Sequence, residues 1–204
     1  MTCRLCKDLR SLFLPVLNMA LPDLAAELEL AVLGLYAQRN SATKNAARSK
    51  KRKLTHYGKE SMRVLLPVLG ALENALRSDA LQGGSWVRAD EGSKYEAFLN
   101  PLGKLLLGHV PEHFPTPVVD ANGYQCLVEG SSGDGGSIIG CLSALAAAAG
   151  DEQLWKPLNH AVLQACDDDG RSEVRRAGLL CLLELMKSLG EEYMVLLPEN
   201  LPVL

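Results

Sequence analysis

Leu5, Leu9, Leu12, Phe13, Val16 and Leu17 recur at steps of three and four, the spacing of one face of an α-helix. Pro15 falls inside that pattern and marks a kink or a new first turn. A second helix is predicted over 23–38, with Asp23 as N-cap and Leu24, Leu28, Ala31, Val32 and Leu35 on its apolar face. Residues 39–53 have no apolar period and read as a solvated loop. A long helix follows over 54–81, kinked at Pro67, and then a polar linker over 82–93. The pattern is helical again over 95–107, Pro-punctuated over 113–117, and weakly helical over 118–129. A flexible loop, GSSGDGGS, occupies 130–137. An Ala-rich helix over 138–149 stops at Gly150. Asp151 caps the next, which runs to Cys166. After an acidic turn at 167–170 comes the most regular stretch, 172–189, where Val174, Gly178, Cys181, Leu182, Leu185, Met186 and Leu189 share a face. Gly190 stops it, and a last helix starts near Glu191, with Pro198 and Pro202 inside it or ending it. Eight or nine helices in this order predict antiparallel neighbours joined by short turns.

Composition strengthens the helical reading. The chain holds 39 Leu and 22 Ala against 13 Val and 2 Ile. Leu and Ala lose little on entering a helix, whereas strands draw on β-branched and aromatic side chains. A β-sandwich and a Val/Ile-rich parallel sheet are therefore excluded. The longest uncharged apolar run, 138–149, is too short to span a bilayer, and Asp8 and Arg10 interrupt what would be a secretory signal. Cys3 and Cys6 form a lone CxxC without the second ligand pair of a zinc ribbon. Cys141, Cys166 and Cys181 read as small core residues and reduced thiols.

The tetrapeptide LPVL occurs at 14–17, 66–69 and 201–204, separated by 52 and 135 residues. These are near one and three lengths of a helical repeat of about 45–52 residues. Asp169, Val174 and Arg175 give D-x-x-x-x-V-R, followed by Ala177 and Gly178. In that arrangement the Asp caps amides at the inter-helix turn, the Val enters the core, and the Arg joins a ladder of charges. The small residues allow close helix approach. Proline early in a first helix, then this motif in a second, is the pattern of a HEAT repeat. The predicted fold is all-α, a HEAT-type α-solenoid of antiparallel helix pairs. Such a surface binds macromolecules along its concave face.

Two further runs sharpen the resemblance. Leu154, Trp155, Lys156, Pro157, Leu158 and Asn159 spell LWKPLN, and Tyr193, Leu196, Leu197, Pro198 and Glu199 lie in YMVLLPE. Together with the Val174–Arg175 helix they resemble the C-terminal region of the HEAT-repeat proteins of the small-subunit processome, the U3 small nucleolar RNA-associated protein ten family. The match covers about residues 150–204. More loosely, Leu54-Thr55-His56-Tyr57 and the long helix after it are similar to that family's C-terminal domain. The resemblance implies a nucleolar scaffold without catalytic activity, cofactor, metal, small-molecule substrate or membrane. Its implied partners are other processome proteins, with pre-rRNA or snoRNA contact through the basic loop. It also implies the division of the chain: a helical pair (1–38), the basic loop (39–53), a helical segment (54–129), the Gly-rich loop (130–137) and HEAT-type repeats (138–204). Ending on an LPVL copy, the last repeat is expected to be truncated. Leu201, Val203 and Leu204 would then be exposed. The alternative is an unrelated HEAT or armadillo adaptor in transport or regulatory complexes.

Charge adds one candidate site. Net charge is only −3, but Arg39, Lys44, Arg48, Lys50, Lys51, Arg52 and Lys53 concentrate seven of the 21 basic residues in fifteen positions. They balance a more acidic C-terminal half. Lys44, Arg48, Lys50, Lys51, Arg52 and Lys53 could contact RNA phosphates, serve as an import signal, or simply solvate a linker. No aromatic interleaves them, so base stacking is not supported. His109 and His113 straddle Pro111 and lack the H-E-x-x-H glutamate. GSSGDGGS lacks the Gly-Lys-Ser/Thr ending of a phosphate loop. The triple Asp at 167–169 lacks the spaced ligands of a calcium loop.

Overall fold

The computed structural model describes residues 50–88, 93–107, 121–130 and 136–202, with backbone alone for 50–64, 93 and 121–123. Every regular element among them is helical. In order these are α1 (Lys50–Leu81), α2 (Ser93–Leu106), α3 (Ala121–Glu129), α4 (Ile138–Ala149), α5 (Glu152–Cys166) and α6 (Ser172–Leu189). A 3₁₀ helix (Gly190–Leu196) then leads into the single turn α7 (Leu197–Asn200).

Helix α4 is the centre. It is apolar all round, and eleven of its twelve residues are buried, as such a helix requires. It packs against α1, α2, α3, α5 and α6. Alanines at 144, 146, 148 and 149 keep its girth small enough for neighbours on every side. Ser137 caps it, accepting from the Gly140 amide at 2.8 Å. Gly150 ends it in the left-handed region, φ 53°. The closest crossing is with α1. A Cβ on Gly136 would lie 2.5 Å from the backbone of Leu69 and Gly70. Glu73 of α1 accepts the Ser137 amide at 3.2 Å, so a carboxylate stands at the N-terminus of α4, where the helix dipole favours it.

Helices α5 and α6 pack as a pair across a tight turn. Asp151 caps α5, accepting from Gln153 N at 2.8 Å. Gly178 lets α6 approach the end of α5: a Cβ there would meet Cys166 N at 2.7 Å. Val174, Ala177, Cys181, Leu182 and Leu185 bury the facing stripe.

Three boundaries differ from the sequence reading. Helix α1 starts at Lys50, so the last four basic residues form its first turn rather than the loop. Lys and Arg are good helix formers, and no Gly or Pro intervenes to stop the helix before Leu54. After Gly190 the chain forms a 3₁₀ helix rather than an α-helix. Pro198 has no N–H for an i−4 bond, so α geometry restarts at Leu197, where Pro falls in the first turn. Finally, Asp169 does not cap α6. The N-cap is Arg171, which makes no side-chain cap bond; two residues too early, Asp169 instead pairs with Arg175.

Candidate interaction surfaces

The basic candidate is placed in part. Lys50, Lys51, Arg52 and Lys53 open α1, with no acidic residue in that turn. Four cations at the positive end of a helix dipole repel it, so an anion docking there would be favoured. Lys44 and Arg48 lie outside the described residues. So do 1–38, the CxxC pair, His109 and His113, most of GSSGDGGS, and Val203 with Leu204. The apolar LPVL copy at the end is represented by Leu201, which is 61 % exposed.

The two family-like runs are brought together. Tyr193, buried on the 3₁₀ helix, donates its hydroxyl to Asn159 Oδ1 at 2.5 Å. Asn159 in turn donates from Nδ2 to Glu199 Oε2 at 3.3 Å. LWKPLN and YMVLLPE are thus two sides of one polar cluster, which locks the C-terminal turns onto α5. Burial pushes the Tyr193 phenol up to about 12, with the neighbouring Asn200 amide pulling the other way. Trp155 is buried and donates its indole N–H to Ala146 O of α4 at 2.9 Å. Leu158 and Leu196 are core, whereas Pro157, Pro198 and Glu199 are exposed and Leu154 and Leu197 lie between. Lys156 faces solvent beside Glu152 at 3.1 Å.

The acidic turn is an arginine dock within the fold. Arg171 pairs with Asp168, and Arg175 with Asp169. Burial works to raise the Asp168 pKa, but hydrogen bonds and charge from Arg171 outweigh it and hold the carboxyl below its ordinary range. Burial raises the thiol of Cys166 to about 11 and that of Cys141 well above the usual value; with Cys181 these are packed, unreactive side chains.

Between α3 and α6 lies a groove of about 250 Å³. Tyr124, Val128 and Ala177 form its apolar floor, and Glu129, Glu173 and Arg176 its rim. Arg176 bridges to Glu129 at 2.7 Å. The Tyr124 hydroxyl is occupied, donating to Leu106 O.

Sequence reasoning missed Asp79 and Arg88. Asp79 is fully buried, and its two carboxylate oxygens each accept a backbone amide at 3.0 Å, from Trp86 and Val87. Arg88 then donates from Nε to Ala149 O at 2.6 Å, covering the end of α4. No local spacing signals either role, because both depend on where the 82–88 loop folds back.

Among the described residues no group of three His, Cys, Asp or Glu is placed to hold a metal ion, and no helix is long and apolar enough to cross a membrane. What the described surface offers is helix faces and one shallow groove. The fold defines an all-α, HEAT-like protein.

Similarity points the same way. Over 212 residues the chain is 30 % identical to an uncharacterized protein of Arabidopsis thaliana, covering 98 % of this chain and 8 % of that protein. It is 42 % identical over 67 residues to HEAT repeat-containing protein 1 of Homo sapiens, covering 33 % of this chain and 3 % of that protein. The Danio rerio protein of the same name is 40 % identical over 67 residues, with the same shares covered. The chain therefore spans less than a tenth of the length of these curated relatives. No family model and no solved structure matches it.

Proposed function

We propose that this chain is a non-catalytic HEAT-type scaffold segment of the nucleolar small-subunit processome, supporting pre-rRNA transcription and processing of the small-subunit precursor. The observation that carries the reading is the joining of LWKPLN to YMVLLPE through Tyr193, Asn159 and Glu199. The two runs on which the processome resemblance rests are one physical unit, so their co-occurrence has a structural reason. The 67-residue identity with HEAT repeat-containing protein 1 supports the same reading. Affinity capture of the full-length polypeptide from nuclear extract is expected to recover processome proteins together with pre-rRNA. Recovery of neither overturns the proposal.

The basic turn has its place in this reading as a contact for RNA phosphate or for an import receptor. Changing Lys50, Lys51, Arg52 and Lys53 to Gln separates the two. Phosphate contact predicts that the salt slope of RNA binding falls by about three to four, near 0.7–0.9 for each phosphate no longer neutralised. An import role predicts loss of nuclear accumulation at unchanged RNA affinity. No change in either assay leaves the segment a solvated linker.

A further inference from the structure

The groove between α3 and α6 has an unbalanced rim. Five acidic residues stand around it and the turn beside it: Glu129, Asp167, Asp168, Asp169 and Glu173. Three arginines answer them, and each is matched: Arg171 to Asp168, Arg175 to Asp169, Arg176 to Glu129. Glu173 is exposed at the rim and makes no ion pair among the described residues. Asp167 is also exposed. The wider region has the same sign, with twelve Asp and Glu against five Lys and Arg over residues 121–204. The cavity, about 250 Å³, is smaller than the roughly 300–1,000 Å³ of small-molecule pockets and suits a single long side chain. Its floor is apolar where such a stem would lie: Val128 and Ala177 are 2 % exposed and Tyr124 is 8 % exposed.

From this we infer that the α3–α6 groove docks a lysine or arginine side chain from a basic segment of a partner protein. The methylene stem lies on Val128, Ala177 and the Tyr124 ring, and the cationic head reaches Glu173. Long cationic side chains bury their stems and keep the charge at the rim in this way. Arg176 stays on Glu129, so the incoming cation meets a carboxylate and not a guanidinium. The inference rests on the scaffold reading only for the partner being a protein.

The test uses the whole 204-residue chain and acetylated deca-lysine as probe, with deca-glutamate as the opposite-charge control. Backbone amide shifts are followed by NMR, and affinity by fluorescence anisotropy. Deca-lysine is expected to move the Val128, Glu173 and Ala177 amides, and deca-glutamate to leave them still. Glu173→Lys should weaken deca-lysine binding by about fivefold, the scale of one surface ion pair of ~1 kcal/mol. Glu191→Lys, an equal charge change at an exposed position on the 3₁₀ helix, should weaken it less than twofold. Glu173→Gln removes the carboxylate while keeping its shape, and should fall between the two. Equal losses in Glu173→Lys and Glu191→Lys would mean diffuse attraction to an acidic surface and overturn the groove. So would unmoved amides at Val128 and Ala177. Because the probe is a synthetic peptide, such a failure leaves the processome reading to its own capture experiment.

Discussion

Helix α1 meets α4 where side chains are missing, and α5 meets the C-terminal turns where side chains bond. At the first junction the backbones of Leu69 and Gly70 stand against Gly136, with no room for a Cβ between them. At the second, Tyr193, Asn159 and Glu199 form a chain of hydrogen bonds beside the core. The first kind of junction tolerates no added atom. The second tolerates volume but not the removal of a partner, because a buried oxygen left unpaired carries a desolvation cost. The two junctions should therefore fail under opposite mutations.

The largest expected effect is at Gly84, on the strap over the end of α4. Its φ is +68°, and a Cβ would lie 1.7 Å from Ala148 O. Gly84→Ala combines backbone strain with a clash against backbone, and should cost about 3 kcal/mol or more in urea unfolding. Gly136→Ala follows at about 2–3 kcal/mol, since the obstacle is again backbone. Gly140→Ala is the sharpening control. Its Cβ would meet only the Glu73 carboxylate, 2.2 Å away at the end of a flexible side chain. The clash can be relieved by a rotamer change, and alanine gains about 1 kcal/mol over glycine inside a helix. Stability should then change by less than about 1 kcal/mol. Equal destabilisation at Gly136 and Gly140 would show that space in general, rather than backbone proximity, sets the α1–α4 junction.

At the polar junction, Tyr193→Phe keeps the ring and orphans Asn159 Oδ1. It is expected to cost about 1–3 kcal/mol. Asn159→Leu in the same background should cost less than it does alone, because the partner hydroxyl is already gone. A double-mutant cycle reads this coupling; strict additivity would show that the Tyr193–Asn159 bond contributes nothing specific.

The smallest effect is electrostatic. The Asp168 carboxyl is held below its ordinary pKa in the fold. Its ion pair with Arg171 therefore contributes stability above the unfolded value of about 3.9, lost as pH falls through the lower folded value. Urea midpoints for Arg171→Ala and the parent chain should converge below about pH 4 and separate above it. A constant gap down to pH 2 would contradict this role.

Much of this was legible one helix at a time. The i, i+3, i+4 pattern of Val174, Cys181, Leu182 and Leu185 marks the stripe that α6 buries. Asp151 and Gly150 mark the boundary of α4 and α5 through capping chemistry local to a few residues. Asp169 shows the limit: the same residue type before a helix is a cap at one site and an arginine partner at another, and only two positions of offset separate them. The candidate surfaces were less legible. The basic cluster is visible as composition, but the groove is built by α3 and α6, more than forty residues apart along the chain. The carboxylate of Asp79 turns from a surface charge into a buried loop anchor only once residues 82–88 fold back on it.

By itself the sequence determined the helical class, most helix ends and the apolar faces, because those follow from periodicity and from caps that act within one turn. Tertiary structure decided that α4 is the hub, that Gly136 and Gly178 are points of close approach while Gly140 faces a movable side chain, and that LWKPLN and YMVLLPE form one cluster. Those outcomes depend on distances between residues far apart in the chain. Close packing makes such distances matter to within a few tenths of an ångström, and no pattern along a single helix encodes them.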